Sequence, residues 1–124
     1  MPNRSNSLYF GKSCEHKIFS ELLKQGFDVY IPLLDNKGID CIVKKKDSKE
    51  YVSIQIKGRK PTWIFNVGTH KPTADYFVLI PPDNKIYTVP TKDLISWLDK
   101  DGKFTFTKDR KQNNKYLIEG ILPQ

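Results

Sequence analysis

Residues 51–60, YVSIQIKGRK, narrow most what this chain can become. Val52, Ile54 and Ile56 alternate with Ser53, Gln55 and Lys57. Side chains alternate across a strand, so the apolar residues share one face and the polar ones the other. A helix would scatter both sets, so the stretch predicts a strand, and a strand needs a sheet. A solvated polar face is the plain reading. If the strand is central in a sheet covered on both faces, Gln55 and Lys57 lie under cover and need partners there.

The neighbouring segments supply the rest of such a sheet. Over Gly11–Gln25 the residues Ile18, Phe19, Leu22 and Leu23 recur at helical spacing, and Gly26 stops the helix. Phe27, Val29 and Ile31 alternate up to Pro32. IDCIVKK predicts a second strand and YVSIQIKG a third, joined by a polar turn, KDSKE. TWIFNV predicts a short fourth strand, and DYFVLI and KIYTVP a hairpin around PPDN. Thr91 is placed to cap a helix running through Leu98, with Asp93 in its first turn. FTFT and KYLIEGIL read as extended pieces after a turn at DGK. Helix, strands, then helix predicts an α/β or α+β domain on a mixed sheet. A chain of 124 residues without a linker or repeat reads as one domain, 1–124, with residues 1–8 a loose N-terminus.

Lys and Arg number 21 against 14 Asp and Glu, a net charge of +7. That excess favours a polyanionic partner, nucleic acid being the commonest, over a basic surface kept for solubility. No apolar run approaches the roughly 20 residues that span a bilayer, so no membrane partner is expected. The start, MPNRSNSLYFGKS, lacks the apolar stretch of a secretory signal. Cys14 and Cys41 read as buried thiols in a reducing cytoplasm, and with His16 and His70 they make no zinc spacing. Gly11-Lys12-Ser13 lacks the upstream Gly of a phosphate-binding loop, and DNKGID lacks the ligand alternation of a calcium loop.

Two polar features stand out. On a helical wheel Glu15 points along the middle of the apolar arc, toward the core, where an unpaired carboxylate is costly. The alternative places it at the rim, favouring the helix dipole. If the turn after the second strand centres on Asp47 and Ser48, opposed residue numbers sum to 95. Asp40 then faces Gln55, with Lys57 two residues along the same face. Asp40 is a hard oxygen ligand suited to Mg²⁺ or Mn²⁺, which the Gln55 side chain or the Ile56 carbonyl completes. Lys57 can orient water and stabilise charge on a phosphate. Glu15 would approach from a helix packed on this face. Placed on the opposite side of the sheet, it would overturn the site as a whole. The alternative is an ordinary solvated hairpin face.

Residues 11–60 resemble the PD-(D/E)XK nuclease superfamily, most closely its small Holliday-junction-resolvase-like and intron- or restriction-associated branches. The resemblance rests on Glu15 in the first helix, Gly38-Ile39-Asp40, and Gln55-Ile56-Lys57, in matching order and spacing. It implies a restriction-endonuclease-like mixed sheet flanked by helices, and metal-dependent phosphodiester cleavage. Asp40 and Gln55 would hold metal, Lys57 would assist the nucleophile and Glu15 would be an accessory ligand. Gln55 departs from the Glu of many members.

Further candidates are basic or aromatic. Arg59 and Lys60 follow the motif strand as phosphate contacts, and Lys44, Lys45, Lys46 and Lys49 cluster at the hairpin tip. Lys108, Arg110, Lys111 and Lys115 form a second basic run. Tyr9, Phe10 and Trp63 are candidates for stacking on bases, though aromatics in so small a domain mostly fill the core. Asp35 is within a loop's reach of the site, while His16 and His70 read as ordinary residues. The leading expectation is a small Mg²⁺- or Mn²⁺-dependent endonuclease acting on DNA as a homodimer. The alternatives are a nucleic-acid-binding module on the same fold with little catalysis, and a protein-interaction subunit of a defence or mobile-element system.

Overall fold

A five-stranded mixed sheet carries the chain. The structure is a computed structural model and describes residues 3–34 and 38–114. Helix α1 (Asn3–Lys24) precedes β1 (Phe27–Tyr30), β2 (Cys41–Lys45) and β3 (Tyr51–Gly58). Then come β4 (Ile64–Asn66), β5 (Tyr76–Ile80), β6 (Tyr87–Pro90), α2 (Thr91–Ile95), β7 (Lys103–Thr105) and α3 (Lys108–Asn113). β3 is central. It pairs antiparallel with β2 and parallel with β5. This is the mixed α+β architecture that the element order predicts.

The alternation in β3 sets the layers. Val52, Ile54 and Ile56 face α1, where Cys14, Ile18 and Leu22 bury themselves against them. On the other face Phe77 and Leu79 of β5 pack with Val89, Leu94, Phe65 and Phe104 into a second core. This core sits under α2 and a separate two-stranded sheet of β4 and β7. TWIFNV and FTFT are thus strands, but they pair with each other outside the main sheet. The hairpin predicted from DYFVLI and KIYTVP forms as β5 and β6.

Several local expectations change. α1 begins at Asn3, two turns before Gly11. Its buried spine is Cys14, Ile18 and Leu22, while Leu23 is 61% exposed. At about 100° per residue, Glu15 therefore lies about 60° from the centre of the core-facing arc and not along it. Thr91 is the first helical residue of α2 rather than its cap, and its hydroxyl is buried without a partner among the described residues. α2 ends at Ile95, short of Leu98. KYLIEGIL, Lys115 and Asp35 lie outside the described residues. Among the described residues no helix is long and apolar enough to cross a membrane.

A candidate active site at the open edge of β3

The β2–β3 register is the one the hairpin predicts: Cys41 opposes Ile54, Ile42 opposes Ser53, Val43 opposes Val52. The ladder stops at Cys41, one residue short of an Asp40–Gln55 pair. Asp40 instead closes the end of the strand in two ways. Its amide donates to the Ile54 carbonyl at 2.9 Å, and its carboxylate Oδ2 accepts from the Ile56 amide at 2.7 Å. The side chain thus takes a hydrogen bond that a continuing β2 would have made. Beyond it no strand among the described residues pairs with β3 on that side. Amide and carbonyl of one strand residue point toward the same neighbour, so the Ile56 carbonyl faces this open edge as well.

A cleft of about 490 Å³ lies at that edge. Glu15, Asp40, Gln55 and Lys57 all line it. Gly11, Gly38 and Gly58 form the close walls, and Ile56 contributes backbone between Gln55 and Lys57. The route by which Glu15 arrives differs from the expectation. α1 packs on the Ile54–Ile56 face, opposite to the one carrying Gln55 and Lys57. Glu15 still reaches the cleft, because β2 has ended and the cleft straddles the bare edge of β3. The off-centre position of Glu15 on α1 is what permits this. At the centre of the arc it would point into aliphatic core.

Glycines set the approach. Gly38 has φ +70°, and a Cβ there would stand 3.2 Å from Gln55 Oε1. Gly58 is where α1 crosses β3: a Cβ would overlap Cys14 Sγ and stand 3.2 Å from the Phe10 ring. The close crossing is the reason Glu15, next to Cys14, comes within reach of the β3 edge.

The electrostatics agree with this placement. Burial, with a smaller contribution from the charges of Asp40 and Glu15, pushes the Cys41 thiol up to about 12. Cys14 is raised as well, mainly by burial, against the lowering effect of Lys17 and Lys60. Both cysteines are buried free thiols. The Glu15 side chain is 22% exposed, and its Oε1 lies 3.4 Å from the ammonium of Lys12, itself 67% exposed. Such a solvated pair contributes little stability. Glu15 keeps its place through the packing of α1.

As a donor set, the cleft offers two carboxylates, one amide oxygen and the Ile56 carbonyl. Hard oxygen donors of this kind suit Mg²⁺ or Mn²⁺, and Mg²⁺ commonly takes only one or two protein carboxylates beside substrate phosphates. Among the described residues no three His, Cys, Asp or Glu side chains gather as a metal cluster. The set fits a cation held by fewer charges.

The other candidates divide. Arg59 and Lys60 are exposed just beyond Gly58. The Arg59 amide donates to the Ile80 carbonyl and its Nε to Thr62 Oγ1. The Lys60 ammonium sits 4.6 Å from the Phe10 ring centroid, on the α1 side of the cleft. Lys45 and Lys46 lie at the opposite end of β2 from Asp40, and Lys44 is engaged with Asp28 at 3.6 Å and the Ser48 carbonyl. They do not join the cleft. Arg110 stacks on Trp97 at 4.9 Å, and Lys111 lies 5.1 Å from Trp63 and 3.9 Å from Asp83. That run ties α3 to the second core. His16 packs edge-on against Phe19. Sequence reasoning missed the three cleft glycines as a group and the loop 67–73, which borders the site. Nothing short of the fold places that loop there.

No family model and no curated protein matches the sequence. Solved structures do match its fold. Hjc, a Holliday junction resolvase from Archaeoglobus fulgidus, an archaeal hyperthermophile, superposes with a TM-score of 0.66 at 16% identity, over 89% of this chain and 98% of that one. The bacterial homing endonuclease I-Ssp6803I superposes with a TM-score of 0.61 at 16% identity, over 82% of this chain and 78% of that one. These likenesses show the fold: the mixed sheet flanked by helices that the sequence resemblance implies is the fold observed.

Proposed function

We propose that the chain is a divalent-metal-dependent endonuclease that hydrolyses phosphodiester bonds of DNA. One observation carries the reading: Glu15, Asp40, Gln55 and Lys57, separated by up to 42 positions in sequence, line one cleft at the open edge of the central strand. The likeness to a Holliday junction resolvase favours branched DNA as the substrate over a specific duplex site, which the homing endonuclease likeness would suggest. The excess of basic residues suits either.

In this reading Asp40, Gln55 and the Ile56 carbonyl hold Mg²⁺ or Mn²⁺, with Glu15 as an accessory ligand. When bound, the ion supplies Lewis-acid polarisation of the phosphodiester and eases ionisation of the attacking water. Asp40 is oriented for its part by the Ile56 amide, which fixes one carboxylate oxygen. Lys57 brings a positive charge to the cleft, where it orients water and stabilises the charge developing on the phosphate. Gln55 contributes a dipole and no charge, so the site favours a loosely held ion. The chain acts as a homodimer in this reading, because one small domain has little surface for gripping a junction. Sedimentation at micromolar concentration showing only monomer would remove that element.

The direct test is nicking of supercoiled plasmid and cleavage of four-way junctions, with Mg²⁺, Mn²⁺ or chelator. Salt-sensitive DNA binding without cleavage under any of these selects the binding-module reading, which the amide at position 55 favours. Gln55→Glu discriminates further. A carboxylate of the same size adds a unit charge beside the ion, worth about 1 kcal/mol per unit of cation charge at ~4 Å in water-like surroundings. For a divalent ion that is about 2 kcal/mol, so the Mg²⁺ concentration for half-maximal nicking is expected to fall by about 30-fold. An unchanged Mg²⁺ dependence would take Gln55 out of the ligand set.

Arg59 and Lys60 are the phosphate contacts nearest the cleft. Neutralising both is expected to flatten the log–log dependence of DNA affinity on salt by about one to two units, because each contact releases condensed counterions. The check is fluorescence anisotropy over a salt series. An unchanged slope would place them outside the interface.

A further inference from the structure

A second cleft, of about 450 Å³, adjoins the first. His70, Lys71, Pro72 and Val67 line it, and it shares Gly38 and Gln55 with the first. At the junction a side chain on Gly38 would crowd Gln55 Oε1, so the glycine keeps the passage between the clefts open. Together they make one trough that passes over Gln55.

The two ends differ in charge. The first holds the carboxylates of Glu15 and Asp40 beside Lys57. Among the described residues the second holds Lys71 and His70 and no carboxylate. Lys71 is exposed, and no salt bridge among the described residues engages it. The loop that carries it is fixed at its base. The Val67 amide donates to the Gly102 carbonyl at 2.9 Å and the Gly68 amide to Asn66 Oδ1 at 2.9 Å. Gly102 lies so close to Gly68 that a Cβ on it would overlap the Gly68 carbonyl.

We propose that the second cleft is a phosphate subsite: Lys71, with His70 beside it, holds the backbone phosphate next to the one in the first cleft, on the same strand of nucleic acid. The reading of the first cleft as a nuclease site supplies the identity of that strand. Every phosphate carries a charge, so a strand crossing Gln55 presents one to each end of the trough. Two carboxylates repel a phosphate unless a cation lies between them. Without divalent ions the second cleft is the end of the trough that attracts the strand more strongly. Anchoring and chemistry are thereby divided between the two ends.

The experiment measures binding of labelled single-stranded and duplex oligonucleotides in EDTA over a salt series, and nicking kinetics in Mg²⁺, for wild type, Lys71→Ala, Lys71→Arg and His70→Ala. Thermal melts check folding. Lys71→Ala is expected to flatten the salt slope by about 0.7 on single strands and about 0.9 on duplex. Its affinity should fall alike for all sequences, and its KM for nicking should rise with kcat little changed. Lys71→Arg should restore both, since it keeps the charge. His70→Ala should weaken binding less than Lys71→Ala. Wild-type slope and KM in Lys71→Ala, equal losses in Lys71→Arg, or no wild-type DNA binding in EDTA would each overturn the subsite. A changed slope in a protein that never cleaves would sink the nuclease reading and keep the subsite. Cleavage with an unchanged slope and KM would do the reverse.

Discussion

Asp40→Asn is expected to lose Mg²⁺-dependent nicking by about 100-fold or more, the scale on which removing one electrostatic group from an active site is felt, while the fold survives. Asp40 has two tasks. Its carboxylate accepts the Ile56 amide and so closes the β2–β3 ladder, and its charge serves the proposed ion. Asn keeps an acceptor oxygen of the same shape, so the first task is retained and only the second is lost. Binding of DNA in chelator should be unchanged or tighter, because one negative charge leaves the cleft. Asp40→Ala removes both tasks. It leaves the Ile56 amide without its acceptor, a loss of about 1–3 kcal/mol where water does not replace it. The pair of variants separates chemistry from structure by melting temperature. If Asp40→Asn nicks DNA like wild type, the metal-nuclease reading is wrong.

Gly58→Ala is expected to destabilise the protein by about 1–3 kcal/mol, the usual cost of forcing a methyl into a packed core, and to abolish cleavage with it. The backbone of Gly58 is not in the left-handed region, so the cost is steric. The new Cβ would overlap Cys14 Sγ and press on Phe10, both on α1. Cys14 is buried within the core, so its sulfur has little room to rotate away from the new methyl. α1 must move off β3, and Glu15 moves with it. Adding Cys14→Ala removes the overlapping sulfur, so the double variant should melt above Gly58→Ala alone. The interaction energy in that cycle measures the contact. Additive losses would show that the crossing is not the source.

Glu15 shows where reasoning along the chain has a limit. Its spacing from Ile18 and Leu22 predicts a core-facing helix, and that helix exists. The spacing alone centres the arc on Glu15. The actual centre lies at Cys14, Ile18 and Leu22, because Gly58 admits the closest approach beside Cys14. Asp40 shows the same at the hairpin. The register follows from the turn, yet the strand ends one residue early because the side chain competes for the ladder's hydrogen bond. Lys44, Lys45 and Lys46 are adjacent in sequence to the motif strand's turn, and the length of β2 carries them away from the cleft.

The period of β3, the hairpin pairing of β2 with it, the flanking helix and the residues that could carry the chemistry are all legible along the chain. These are local properties: alternation, turn position and helical spacing are all written within a few residues. Tertiary structure decided the rest. That β4 leaves the main sheet for β7, that α1 lies on the aliphatic face while Glu15 reaches past the end of β2, and that loop 67–73 borders Gln55 all depend on contacts between distant segments. Each is fixed by which surfaces fit when buried together, and no local pattern encodes that fit.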